Sequence, residues 1–161
     1  MSTLALLAAA RERLRDAPRE LLGELIEPRR VLGFSRAPRV QPRGDAWHLG
    51  ALLLTDDEVL ATGEIIRARR EAPRGFAAES QRRRSELAAA ASRGGFAEGV
   101  AVHIGWRMLQ PAAVDRGEAS GPLALIDGTP SVRWSAAGGF MPLERYLDER
   151  VALLIDPPAG A

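Results

Sequence analysis

Residues 100–108 read Val-Ala-Val-His-Ile-Gly-Trp-Arg-Met, and the reading of this stretch decides the fold. Val100, Val102, Ile104, Trp106 and Met108 fall on one side of an extended chain, and Ala101, His103, Gly105 and Arg107 fall on the other. This period of two predicts a strand with its large side chains in a core. The opposite face carries one imidazole and one guanidinium between small residues, so His103 is expected to be approachable.

The same local pattern occurs earlier in the chain. Ala46-Trp47-His48-Leu49-Gly50 and Ala101-Val102-His103-Ile104-Gly105 both read Ala-x-His-aliphatic-Gly, and they hold both histidines of the protein. Residues 47–55 form a second predicted strand. Asp56-Asp57 turns the chain, and residues 58–68 return as its antiparallel partner, bent at Gly63. Leu123 to Ile126, Asp127-Gly128 and Thr129 to Ser135 give the strongest hairpin signal, because Asp-Gly tolerates the positive φ angles of a type I′ turn.

Helices are expected around these strands. Ser2 or Thr3 caps a helix to Arg15 with Leu4, Leu7 and Leu14 on one face. Leu21, Leu22, Leu25 and Ile26 suggest another over residues 17–26, ended by Glu27-Pro28. The alanine-rich residues 77–93 form a third, with Glu79–Arg83 and Arg82–Glu86 as i,i+4 pairs. Leu143, Leu147, Val151 and Leu154 mark a fourth over residues 142–155. Val31 to Phe34 reads as a short strand, residues 36–44 as a proline-rich edge or loop, and residues 110–121 as irregular. The expected architecture is α+β: a mostly antiparallel sheet of about five or six strands covered by helices in two layers. It forms one domain over residues 1–161, with a helical segment at 1–27, the sheet and its inserted helix at 31–135, and a terminal helix at 142–155.

Composition narrows the chemistry. The chain has 161 residues and no cysteine, which excludes disulfides, thiolate metal sites and cysteine nucleophiles. All 22 basic residues are arginine, so Schiff bases and catalytic lysines are excluded too. Apolar and charged contents of 46% and 27% are ordinary for a globular protein. The apolar run from Leu4 to Ala10 has no preceding basic residue, and no run approaches the ~20 residues needed to span a bilayer, so a cytoplasmic protein without a membrane partner is expected. Charge is uneven despite a net +1: residues 67–84 hold seven arginines against two acids.

The run WHLGALLLTDDEVLATGEIIRAR from Trp47, with WSAAGGF from Trp134, resembles a group of short proteins from GC-rich bacteria that carry the label glutaminase. The resemblance implies amide hydrolysis and covers most of the chain from Trp47 onward. It carries over no catalytic residue, since the Ser-x-x-Lys and cysteine sites of glutaminases need residue types that this chain lacks.

Three candidate sites follow. His48 and His103 could hold a divalent metal if their strands were neighbours, with Glu64, Asp45 or Glu98 as the third ligand; a local hydrogen bond at each histidine is the simpler explanation of so short a repeat. In a small amide hydrolase, His103 or His48 would act as general base while Ser135 or a metal-bound water attacks. Trp106, Arg107, Trp134, Gly138 and Gly139 could line a groove for a small molecule or protein partner, although tryptophans more commonly fill a core. The arginine segment 67–84 offers an anion or nucleic-acid surface, unless its charges are simply solvated and paired along the helix.

Overall fold

The computed structural model describes residues 1–28, 33, 36–70 and 78–160. Val31, Leu32 and Phe34 of an expected strand, and the first residue expected in the central helix, Ala77, lie outside the described residues. In order, the elements are α1 (Thr3–Leu14), β1 (Glu20–Ile26), β2 (Arg39–Leu49), β3 (Leu52–Leu54), β4 (Val59–Ala61), β5 (Glu64–Arg67), α2 (Glu79–Arg93), β6 (Ala101–Ile104), β7 (Arg107–Met108), α3 (Pro111–Asp115), β8 (Leu123–Ile126), β9 (Thr129–Arg133), β10 (Phe140–Pro142) and α4 (Leu143–Ile155). The fold is α+β and its strand pairs are mostly antiparallel, with ten strands among the described residues where five or six were expected.

The chain separates into two compact units. One comprises Met1–Arg19, Ala46–Thr62 and Arg107–Ala161; the other comprises Glu20–Asp45 and Gly63–Trp106.

In the first unit, the end of β2 pairs with β3, β3 with β4 and β4 with β7, all antiparallel. A separate three-stranded sheet has the order β10-β9-β8. The Asp-Gly hairpin forms as expected: Asp127 and Gly128 take φ angles of 50° and 76°, and Ile126 pairs with Thr129. Its core joins Leu6, Leu7, Ala10 and Leu14 of α1 to Leu49, Leu52 and Leu54 of the sheet and to Leu143, Tyr146, Leu147 and Val151 of α4. On α1 it is Leu6 that enters the core, while Leu4, expected there, is exposed.

In the second unit the strand order is β5-β6-β1-β2. β1 and β6 run parallel, Leu21 opposite Val102 and Leu22 opposite His103. β5 pairs antiparallel to β6, Glu64 opposite Ile104 and Ile65 opposite His103. Alternation gives this sheet two faces. Val40, Ile66, Val102 and Ile104 pack with Leu87, Ala90 and Ala91 of α2 on one face. His103 belongs to the other. Gly94, at the end of α2, lies so close to Val40 that an added Cβ would collide with its carbonyl oxygen.

Two expectations are corrected. Residues 20–26 are a strand, not part of a helix, because the hydrogen bonds of β6 are satisfied by pairing with them. The stretch 100–108 is two strands: Gly105 takes φ +67°, ends β6 and sends Arg107–Met108 to pair with β4. Met108 is consequently 53% exposed and is not a core residue. Pro42, expected in an extended edge or loop, sits in β2, where the Arg39–Asp45 stretch is the edge of the second unit's sheet and needs no donor on its outer side.

Candidate functional site

The most chemically loaded pair in the second unit is His103 and Glu20. Strand register explains it: Leu22 lies opposite His103, and Glu20, two residues earlier on β1, points to the same face. The Nε2 atom of His103 is 3.2 Å from Oε1 of Glu20. Against a carboxylate acceptor this nitrogen must carry the proton. The imidazole is 1% exposed, whereas the Glu20 side chain is 39% exposed, so the pair runs from the interior to solvent. His103 is therefore not approachable through its small neighbours, as its sequence suggested; Glu20 provides the access.

Trp106 helps to fix this region. Its indole N–H donates to the carbonyl of Gly23 on β1 at 2.9 Å. Gly63 approaches β6 so closely that an added Cβ would meet the Ile104 carbonyl oxygen, which holds the start of β5 against His103's strand. Glu64, the carboxylate expected beside the histidines, is held elsewhere. It opposes Ile104 rather than His103, so it lies on the α2 face, and Arg83 of α2 binds both of its oxygens at 2.7 and 3.0 Å. Hydrogen bonding from Arg83 keeps the Glu64 carboxyl below its ordinary pKa.

In the first unit, His48 is oriented by a turn. Its Nε2 lies 3.1 Å from the carbonyl of Gly50, an acceptor to which Nε2 donates. Metal-binding histidines are commonly held this way, the distal N–H donating to a backbone carbonyl. The turn is pinned by Tyr146 of α4, whose hydroxyl donates to Leu49 O and accepts from Ala51 N, both at 2.8 Å. Gly50 adopts φ +66° beside that hydroxyl, leaving no room for a Cβ.

Also in the first unit, the loop after β9 gathers Trp134, Ser135 and Gly138. Ser135 Oγ accepts from Gly138 N at 2.7 Å, a local turn bond that occupies the hydroxyl proposed as nucleophile. A side chain at Gly138 would strike Trp134, whereas Gly139 faces open space. Of the three tryptophans only Trp47 is core, its indole covered by the Arg19 guanidinium 3.8 Å from the ring centre; Trp134 is 51% exposed. The guanidinium of Arg133 lies 5.0 Å from the Phe140 ring, making an exposed aromatic and cationic cluster beside Trp134. Arg107 is exposed on β7.

No family profile, curated protein or solved structure matches this chain. Its chemistry rests on these residues alone.

Glu20, His48 and His103 each offer one ligand atom suited to a metal ion. The sequence pattern picked out both histidines but not Glu20. Glu20 lies 83 residues from His103 in the chain, and only the parallel register of β1 with β6 brings it to the imidazole. Reading residues 20–26 as a strand, with Glu20, Leu22 and Glu24 alternating on one face, would have exposed it. Tyr146 carried no signal beyond its place beside Leu147 in the predicted terminal helix.

Proposed function

We propose that this protein binds a divalent metal ion, with His103 and Glu20 as two of its ligands, and uses the ion to hold a small-molecule ligand. The separation of Nε2 and Oε1 carries the reading. Ligand distances of ~2.0–2.1 Å in tetrahedral zinc put adjacent donor atoms roughly 3.3 Å apart, and these two stand at 3.2 Å. A cation replacing the proton they share needs little movement of either group. Glu64 is left out because Arg83 occupies it. Mixed nitrogen and oxygen donors favour zinc among the common divalent ions.

The test is metal analysis of protein purified without a histidine tag, followed by zinc titration in competition with a chromophoric chelator. One equivalent should bind. His103→Ala and Glu20→Gln should each weaken binding at least tenfold, and Glu64→Gln should leave it unchanged. Affinity in the millimolar range, or a wild-type titration from His103→Ala, would remove the proposal.

A second reading is favoured by the exposure of Glu20: a cation there keeps a coordination position open to water, and a metal-bound water can attack an amide carbonyl. This agrees with the resemblance to glutaminase-labelled proteins. Ammonia release from glutamine and simple primary amides should then require the metal and disappear in His103→Ala. Zinc-loaded protein inert toward such a panel would leave binding without hydrolysis. A cytoplasmic location belongs to the same proposal and is checked by cell fractionation.

A further inference from the structure

The two units differ in charge: the first holds nine arginines and twelve acids, and the second thirteen arginines and nine acids. In the second, the excess gathers on α2 and on the residues that follow β5. Arg67, Arg69, Arg70, Arg82, Arg83 and Arg84 are all exposed. The backbone N–H of Arg69 donates to Ala88 O at 3.1 Å, which lays this segment alongside the middle of α2.

The bland explanation for these arginines is pairing along the helix, and the structure does not follow it. Arg83 bonds to Glu64 of β5, not to Glu79, and Arg82 forms no ion pair with Glu86. Two nearby acids are engaged, Glu64 by Arg83 through both oxygens and Glu98 by the backbone N–H of Arg70 at 2.8 Å, while Glu79 and Glu86 on α2 stay exposed and leave the arginines in excess. Among the described residues, the guanidinium groups of Arg69, Arg70, Arg82 and Arg84 have no hydrogen-bonding or ion-pairing partner. The first turn of α2 adds exposed N–H groups, since Ala78 supplies no capping side chain.

We infer that the arginine-rich surface of α2 and of the residues after β5 binds the phosphate backbone of a nucleic acid, with Arg82 and Arg84 on the two flanks of the helix and Arg69 and Arg70 beside it. Guanidinium groups recognise phosphate in bidentate fashion. An acidic membrane is the other polyanion to consider, but α2 exposes no large apolar side chain that could enter a bilayer interface. The inference rests on charge and pairing in the second unit and is independent of any metal.

The experiment is fluorescence anisotropy of labelled 20-nucleotide single-stranded and duplex oligonucleotides with the full chain across a salt series. Four phosphate contacts give a log–log salt slope between about −3 and −4. The triple substitution Arg69→Gln, Arg82→Gln, Arg84→Gln should weaken binding at least tenfold at 50 mM salt and bring the slope to about −1, with an unchanged circular dichroism spectrum. The control pair Arg116→Gln and Arg145→Gln, exposed in the first unit, should change neither. No binding at 50 mM salt, equal binding by the triple variant, or equally tight binding to phosphatidylglycerol vesicles would each overturn the inference.

Discussion

The phenol of Tyr146 does two jobs with one oxygen: it accepts from Ala51 N and donates to Leu49 O across a turn that cannot tolerate a side chain at Gly50. Removing that oxygen leaves two backbone groups near the core unsatisfied. Tyr146→Phe should therefore cost about 2 kcal/mol, seen as a fall in thermal midpoint of roughly 4–8 °C for a chain of this size. A variant with an unchanged midpoint would show that the phenol does not hold this turn. At this scale the sequence was informative about which side chains carry chemistry and silent about what they meet. Two imidazoles in a repeated pattern stood out, but Glu20 needed strand register to be found, and the burial of His103 depends on neighbours remote in sequence.

Among elements, α1 shows how a short helix is held at its start. Ser2 Oγ accepts from Ala5 N, and the carboxylate of Asp115, from α3, accepts from Thr3 N at 2.6 Å and Leu4 N at 3.2 Å. Burial pushes the Asp115 carboxyl up, but the hydrogen bonds from Thr3 and Leu4 outweigh it, aided by the chain's amino terminus, and the pKa is lowered. A group whose folded pKa lies below its unfolded value contributes stability above the unfolded value of ~3.9, and that contribution is lost as pH falls through the folded one. Asp115→Ala should cost about 1 kcal/mol at pH 7 and flatten the acid limb of the stability curve below pH 4, measured by urea unfolding; an unchanged acid limb would show that Asp115 does not govern it. The hairpin is tested as directly. Gly128→Ala places a Cβ at φ +76°, which should cost about 1–2 kcal/mol in the same assay.

Most elements were legible from sequence because their local signals agreed: α1, α2, α4 and the Asp-Gly hairpin all lie where period, cap and turn residues put them. β1 was misread because Leu21, Leu22, Leu25 and Ile26 satisfy a helical face as well as a strand, and pairing with β6 decides between them. The long ribbons expected at residues 47–55, 58–68 and 100–108 were shortened at Gly50, Gly63 and Gly105. At Gly50 and Gly105 a positive φ turns the backbone, and at Gly63 the chain passes against the Ile104 carbonyl. Neither feature is written in a hydrophobic pattern.

At the scale of the whole molecule, the described residues give the two units unequal cores, and this asymmetry predicts their relative stability. Among the described residues, eighteen buried side chains cluster in the first, including Trp47, Tyr146 and ten leucines. Eight described side chains cluster in the second, three of them alanine. Apolar burial stabilises by roughly 25 cal/mol per Å², and an alanine contributes far less area than a leucine or an aromatic ring, so the second core is the weaker of the two. Native-state hydrogen exchange should therefore find the amides of β5 and β6 opening at lower free energy than those of α1 and β3. Ile66→Val, which deletes one methylene from the second core, should lower the opening free energy of β5 and β6 by about 1 kcal/mol and leave that of α1 and β3 in place. Leu52→Ala should lower that of α1 and β3 by about 3 kcal/mol. If both groups of amides share one opening free energy at every denaturant concentration, and each substitution lowers it for the whole chain, the cores act as one cooperative structure and the ordering by core size fails.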